Sequence, residues 1–444
     1  MGSSDNPLNV TVIGIGYLGL THAVCMADVG HNVLAIDVDE DKVAKASRGE
    51  APFFEPGLEP LLRKNIDAGR LRFTNSFAEI GEFGDVHFVC VGTPQLKGSA
   101  GADLTYVHSA VDCLAPYLTR ETLIIGKSTV PVGTTRKLLP RVLSAAPAGE
   151  KAHIAFNPEF LREGHAVHDS LTPDRMVFGV TDEASGPLLR QVYAAQLAEG
   201  IPSLIMDLET AELVKVAANA FLATKISYIN AMAEVCEASG ADVTKLAEAI
   251  GLDDRIGRKF LNAGLGFGGG CLPKDIRAFR ATAGELGIGS LVNWLATVDE
   301  INLGRRDRVV DLARQAAGGD LSGKRIAVLG IAFKPNSDDI RDSPALDVIR
   351  GMRDEGAAVS AYDPFANANA AGQVAGVSFV DSVAEAIERA DVVLHLTEWP
   401  EFRAIDPASI KNAVAHPVLI DGRCALDADL WRSAGWTVHA LGRS

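Results

Sequence analysis

Short apolar, β-branched runs alternate with amphipathic stretches over the first 130 residues: Val10-Thr-Val-Ile-Gly14, a periodic segment from about Leu18 to Val29, then Asn32-Val-Leu-Ala-Ile-Asp37. A strand-sized run, a helix-sized one and a second strand make the βαβ rhythm of a parallel, doubly wound sheet. Further strands are predicted at Val86 to Val91, Leu123 to Gly126 and His153 to Phe156. From Leu208 to about Ser239 an apolar-periodic stretch contains no Pro or Gly, is opened by Glu209 and Glu212, and is stopped by Gly240. At about 1.5 Å per residue this helix would span roughly 45 Å, enough to join two lobes. Helical pattern continues to about residue 313, and at Lys324 the βα rhythm restarts with Arg325-Ile-Ala-Val-Leu-Gly330. A helix near Ser343 to Glu355 follows, then strands at Ala358 to Asp363, Asp391 to Leu396 and Val418 to Asp421.

The order of parts repeats, with Ile-Asp37 answered by Tyr-Asp363 and Gly-Asp85-Val by Ala-Asp391-Val. The expected fold class is α/β: two doubly wound parallel-sheet domains joined by a long central helix and a helical middle domain. At 444 residues there is room for two or three domains. The expected bounds are 1–200, 201–318 and 319–444, with Gly-Gly-Asp-Leu-Ser-Gly at 318 to 323 as the linker.

Composition removes several classes of function. Apolar residues at 47% and charged residues at 22% are globular values, which excludes a disordered scaffold. A net charge of -15 argues against nucleic acid or an anionic membrane as partner, because either needs a basic face. The longest apolar runs are strand-sized, well short of the roughly 20 residues of a membrane span. The polar N-terminus has no basic region and reads as no signal peptide. Six scattered cysteines, with no metal-ligand spacing, fit free thiols in a reducing cytoplasm and no metal site.

Two stretches carry chemistry. Gly14-Ile-Gly16-Tyr17-Leu18-Gly19 follows a strand and opens a helix, and Asp37 ends the next strand 23 residues after Gly14. Two glycines allow a tight turn close to a pyrophosphate, the third allows close helix packing, and the helix N-terminus faces the negative charge. Asp37 would accept from an adenosine ribose and repel a 2′-phosphate, which favours NAD over NADP. Lys42 could reach the same ribose or be a solvated helix lysine. The second α/β unit has Gly330-Ile-Ala-Phe in the matching turn and lacks the glycine triplet.

The second stretch is Gly264-Leu-Gly266-Phe267-Gly268-Gly-Gly270-Cys271-Leu-Pro273-Lys274-Asp275. Five glycines let backbone wrap a ligand, and Pro273 suits the first turn of a helix. Cys271 would then sit at a helix N-terminus beside Lys274, a setting that favours thiolate. Asp275 lies one turn deeper, and Lys215 and Asn219 share the same i, i+4 spacing on the long helix, a spacing that a solvated stripe would also give. A thiol, a lysine, carboxylates and an NAD site together suggest oxidation through a thiohemiacetal.

These residues bring a resemblance into view. The chain resembles the UDP-glucose 6-dehydrogenase family of nucleotide-sugar dehydrogenases through Lys127-Ser-Thr-Val-Pro-Val-Gly-Thr-Thr135, Asn157-Pro-Glu-Phe-Leu-Arg-Glu-Gly164, Pro173-Asp-Arg-Met-Val-Phe-Gly179, Thr210-Ala-Glu-Leu-Val-Lys215, Asn219 to Ser227, Arg255-Ile-Gly257, the Cys271 loop and Phe333 to Pro344. The resemblance implies that Cys271 is a nucleophile, that Lys215 and Asn219 stabilise oxyanions, and that Asp275 and Glu159 manage water and protons. It places the Thr129 hydroxyl near the reacting centre. Glu159, Phe160, Leu161, Arg162, Glu163, Lys215, Asn219, Arg255, Phe267, Gly268, Lys334 and Arg423 would hold the nucleotide sugar, with Arg255 reaching across a homodimer interface. Thr93, Thr129, Glu163 and Arg341 would contact NAD beside the glycine turn.

Two positions depart from the family pattern. Gly270 stands where a serine commonly precedes the cysteine, and Met176 replaces Ile or Val. The implied reaction is a four-electron oxidation of UDP-glucose to UDP-glucuronate. GDP-mannose 6-dehydrogenation and a TDP-glucose variant share the motifs. A two-electron hydroxyacid dehydrogenase would need neither the thiol nor a third domain, and an inactive NAD or sugar sensor would not need Cys271, Lys215 and Asp275 intact.

Overall fold

The computed structural model describes residues 7–182 and 185–443. The first six residues, on which much of the reading of the N-terminus rests, lie outside them. The chain divides into two compact units, Met1–Ala218 and Asn219–Ser444, and the helix Leu208–Ser239 contributes residues to both.

In the first unit eight strands form one sheet: β1 (Asn9–Ile13), β2 (Asn32–Ile36), β3 (Leu71–Thr74), β4 (Val86–Val89), β5 (Thr122–Gly126), β6 (Ala152–Phe156), β7 (Met176–Val180) and β8 (Ser203–Met206). Their order is β3-β2-β1-β4-β5-β6-β7-β8. All four residues of β4 are buried, as expected of a central strand covered on both faces by helices. The parallel run is broken once, between β6 and β7, which pair antiparallel. The reason lies in the connection: residues 157–175 hold one short helix, Ala166–Leu171, and do not cross back over the sheet. This keeps the loop that begins at Asn157 beside the carboxyl end of β6, the side on which open α/β sheets bind ligands.

The second unit holds the rest of the long helix, then helices Val243–Gly251, Leu272–Glu285 and Gly289–Ala316. A six-stranded sheet follows, made of β9 (Arg325–Leu329), β10 (Ala358–Tyr362), β11 (Val377–Phe379), β12 (Val392–His395), β13 (Val418–Asp421) and β14 (Thr437–Ala440). Its order is β11-β10-β9-β12-β13-β14 and every pairing is parallel. The chain therefore carries two Rossmann-like sheets and a helical middle region. Residues 318–323 form the turn between the last helix and β9, and Leu321 within them is buried in the core of the second unit. The long helix ends where the sequence predicts, at Gly240 with φ 75°, a left-handed conformation that glycine adopts without steric cost.

Candidate active site

The turn after β1 has the geometry its three glycines require. Gly14 has φ 93° and its N–H donates to the carbonyl of Ile36 at 2.7 Å. A Cβ on Gly19 would lie 1.8 Å from the Gly14 carbonyl oxygen, so only glycine lets the helix Tyr17–Asp28 pack this close. A Cβ on Gly16 would meet nothing within 4 Å, which leaves the backbone at the helix N-terminus open to a ligand. Asp37 is half-buried at the end of β2, accepting from Ile15 N at 2.9 Å and Asp39 N at 3.0 Å. Lys42 lies in the first turn of the next helix, Glu40–Ser47, with its ammonium 3.6 Å from Asp39. Leu18 packs against the sheet core. These residues fit the ribose and pyrophosphate of a dinucleotide.

At the carboxyl ends of β4 and β5 two loops are tied together. The Thr93 hydroxyl donates to the Thr129 carbonyl at 2.9 Å, and the Ser128 hydroxyl to the Val91 carbonyl at 2.6 Å. Glu212, fully buried, caps the helix Thr134–Ala145 by accepting from Gly133 N and from Thr135 N at 2.8 Å. Burial pushes its carboxyl above the usual range. Glu212 stands one turn before Lys215, so the same helix anchors the Thr129 loop and carries the lysine.

The Lys215 ammonium donates to Glu159 at 3.1 Å, and the two side chains are 5% and 11% exposed. It also lies 5.5 Å from the centre of the Phe160 ring, over which Arg175 stacks at 3.9 Å. The loop is held from within, since Leu161 N donates to Glu159 at 2.6 Å and the Arg162 guanidinium forks onto Asp169 at 2.6 and 2.8 Å. Behind it, buried Lys127 donates to Asn157 Oδ1 at 2.7 Å, and burial pulls its pKa down to about 8.

In the second unit Cys271 is exposed and caps the helix Leu272–Glu285, with Pro273 in the first turn. Asp275, one turn on, is 2% exposed and joined to Asn219 Nδ2 at 2.7 Å and to the Lys274 ammonium at 2.7 Å. The sequence presents Lys215 and Asn219 as one pair; the structure gives each its own carboxylate, Glu159 and Asp275.

The glycine loop is clamped by residues that sequence reasoning missed. Asn302 is fully buried and takes both backbone groups of Phe267, accepting from its N–H at 2.7 Å and donating to its carbonyl at 3.0 Å. A Cβ on Gly266 would lie 2.3 Å from that amide oxygen. Fully buried Arg305 donates to the Gly264 carbonyl at 3.3 Å, and Asn230 accepts from Gly264 N at 2.8 Å. Polar side chains on the inward, apolar faces of long helices were the available signal. Arg423 donates to the carbonyls of Leu396 at 2.7 Å, Gly266 at 2.9 Å and Phe333 at 3.1 Å. It joins the glycine loop to the Phe333-Lys334 segment, where the Lys334 ammonium sits 5.2 Å from the Phe333 ring. The Arg341 guanidinium lies over Gly270, 2.4 Å from where a Cβ would be, so the missing serine side chain makes room for it. Gly268 is equally constrained, its would-be Cβ 2.3 Å from the Asp342 carbonyl oxygen. Arg255 lies on the surface, 88% exposed, with its guanidinium paired to its neighbour Asp253.

Three matches to known families cover most of the chain. Residues 8–197 match the NAD binding domain, 209–303 the central domain and 327–428 the UDP binding domain of the UDP-glucose/GDP-mannose dehydrogenase family. The chain is 41% identical over 438 residues to a UDP-glucose 6-dehydrogenase of Rhizobium meliloti (strain 1021), covering 98% of this chain and 100% of that one. It is 41% identical to a UDP-glucose 6-dehydrogenase of Bacillus subtilis (strain 168), with 98% and 93% covered. Among solved structures, a UDP-glucose dehydrogenase from the archaeon Pyrobaculum islandicum superposes with a TM-score of 0.92 at 36% identity, each chain fully covered.

Proposed function

Because the chain belongs to the UDP-glucose/GDP-mannose dehydrogenase family, and is an NAD-dependent nucleotide-sugar dehydrogenase, we propose that its substrate is UDP-glucose and its product UDP-glucuronate. The relatives at 41% identity over nearly the full chain support this substrate over GDP-mannose or TDP-glucose. When bound at the Gly14 turn, NAD supplies the hydride acceptor for each of the two oxidations. In the first, the proton of the C6 hydroxyl leaves through Lys215 or a carboxylate-bound water. Cys271 Sγ then adds to the aldehyde carbon, and Lys215 and Asn219 donate to the oxygen as it gains charge. Loss of the second hydride leaves a thioester on Cys271. Water held by Asp275 and Glu159 hydrolyses it, releasing the acid and restoring the thiol.

The observation that carries this reading is Cys271, exposed at a helix N-terminus with a buried, doubly bonded carboxylate one turn behind it. Thr93, Thr129, Glu163 and Arg341 complete the cofactor contacts, and residues 160–163, Arg255, Phe267, Gly268, Lys334 and Arg423 those of the sugar nucleotide. The working division is 1–200 for NAD, 201–318 for dimerisation and 319–444 for the nucleotide sugar; the family matches support the first and last assignments and a separate central domain between them. Phe221, Tyr228 and Val235, seven residues apart on the long helix and 61%, 50% and 56% exposed, support a homodimer contact there. The exposed Arg255 suits a residue contributed across that contact. Among the described residues no helix is long and apolar enough to cross a membrane, and six free cysteines suit the cytoplasm.

The test is stoichiometry. A panel of UDP-glucose, TDP-glucose and GDP-mannose should give two NADH per sugar with UDP-glucose the best substrate. Cys271→Ser should bind both ligands and lose steady-state turnover by orders of magnitude, releasing at most a slow single equivalent of NADH. A Cys271→Ser enzyme yielding two NADH per sugar at the wild-type rate would show the thiol to be structural.

A further inference from the structure

Glu55 lies outside every motif assigned above, yet it is 5% exposed and both its oxygens are occupied. Its Oε2 accepts from the Tyr17 hydroxyl and from Gly164 N at 2.7 Å, and its Oε1 accepts from Ala166 N at 2.7 Å. The Tyr17 hydroxyl is in turn 3.2 Å from Gly164 N. Tyr17 is the first residue of the helix that opens the dinucleotide turn, and its ring packs on Phe53 with centroids 4.8 Å apart. Gly164 directly follows Glu163 at the end of the loop whose other members are Glu159 to Arg162. One buried carboxylate therefore receives donors from the cofactor turn and from the sugar loop at once. Burial and then Glu55 push the Tyr17 phenol above its ordinary range, so it stays a neutral donor to the carboxylate.

We infer that Glu55 is a positioning residue that couples the two ligand sites, so that ordering either the Gly14 turn by NAD or the 159–164 loop by the nucleotide sugar favours binding of the other. This rests on the reading of those two segments given above. The physical ground is that three donors on two elements share one carboxylate. Fixing Tyr17 fixes the hub, and a loop that must dock on a hub already fixed loses less conformational freedom on binding. The coupling is reciprocal: each ligand must tighten the other by the same factor. Glu55 touches neither reacting atom, and its effect passes through Tyr17 and Gly164.

The experiment uses the full-length protein and a pair that cannot react, NADH with UDP-glucose. The NADH dissociation constant is measured by its fluorescence with and without saturating UDP-glucose, and the UDP-glucose constant by calorimetry with and without NADH. The wild type should show equal factors of about fivefold or more in both directions. Tyr17→Phe keeps the ring on Phe53 and removes only the hydroxyl link, and should bring both factors below about twofold. Glu55→Gln should do the same, because an amide presents one acceptor oxygen where three donors converge. Wild-type factors near one, or a Tyr17→Phe protein that keeps the full factor, would overturn the coupling. If Glu55→Gln fails to fold, Tyr17→Phe decides alone. Failure of the substrate reading shows separately, as absence of UDP-glucose turnover by the wild type; the factors are then measured with whichever nucleotide sugar of the panel binds.

Discussion

Replacing Lys127 by methionine should change how stability depends on pH, by an amount the structure sets. The ammonium is buried beneath the sheet's carboxyl edge, donates to Asn157 Oδ1 at 2.7 Å and lies 5.9 Å from the centres of the Phe88 and Tyr193 rings. Burial brings its pKa from an ordinary 10.5 to about 8. Below pH 8 the lysine is protonated in folded and unfolded chains alike, and the native state carries the cost of holding that charge out of water. Between about 8 and 10.5 the unfolded chain keeps its proton while the native one releases it, so stability rises with pH through this window. That gap corresponds to roughly 3 kcal/mol, most of it gained by pH 10. Lys127→Met removes the titrating group and leaves Asn157 Oδ1 with a second donor, the Tyr193 hydroxyl. The stability difference, wild type minus variant, should therefore grow in favour of the wild type by about 2 to 3 kcal/mol from pH 7 to pH 10. All four tryptophans lie beyond residue 290, so urea unfolding is best followed by circular dichroism, which reports the first sheet as well. A difference flat across that range would refute a depressed lysine at this site.

Asp37 should make the enzyme prefer NAD to NADP by at least about tenfold in kcat/KM, since a carboxylate facing a phosphate costs more than about 1.4 kcal/mol in a half-buried site. Asp37→Ala should narrow the ratio, and equal kcat/KM for the two cofactors in the wild type would remove Asp37 from the ribose. Phe221→Glu should shift the species seen by light scattering from dimer to monomer and cut turnover in parallel with Arg255→Ala; an active wild-type monomer would remove both the helix contact and the role of Arg255.

What was legible in the sequence follows from how local the cause is. The long helix could be bounded because its ends are set by the residues around it, acidic Glu209 in the first turn and Gly240 after the last. The glycine turn and Asp37 were legible for the same reason, a fixed spacing within one βαβ unit. The direction of β7 was not, because Met176–Val180 reads as a strand either way and only the path of residues 157–175 decides. Asn302 and Arg305 were hidden because their partners, Phe267 and Gly264, are 35 and 41 residues away. The division of Lys215 and Asn219 between Glu159 and Asp275 depends likewise on contacts 56 residues apart.

The repeat of Asp37 by Asp363 shows how one local pattern can serve two purposes. In both units the glycine after the first strand donates to the residue before the aspartate, Gly14 to Ile36 at 2.7 Å and Gly330 to Tyr362 at 2.8 Å. Asp37 accepts two backbone donors and remains half-exposed, so lone pairs are left for a ribose. Asp363 is 1% exposed and accepts from Ile331 N, Ala332 N, Phe365 N, Ala366 N and Trp399 Nε1, which uses the capacity of a carboxylate. Its turn is closed as well, since a Cβ on Gly330 would lie 2.4 Å from Thr397 Cβ. With turn and aspartate both engaged by the fold, the second sheet keeps neither the open turn of Gly16 nor the half-exposed carboxylate of Asp37. Whatever ligand that sheet takes must be met by other loops. Those bearing Lys334 and Arg423 are already joined by the Arg423 guanidinium, whose donors reach the Phe333 and Gly266 carbonyls. The same βαβ start thus leaves the carboxylate of Asp37 half-exposed and spends that of Asp363 on its own turn and on Trp399.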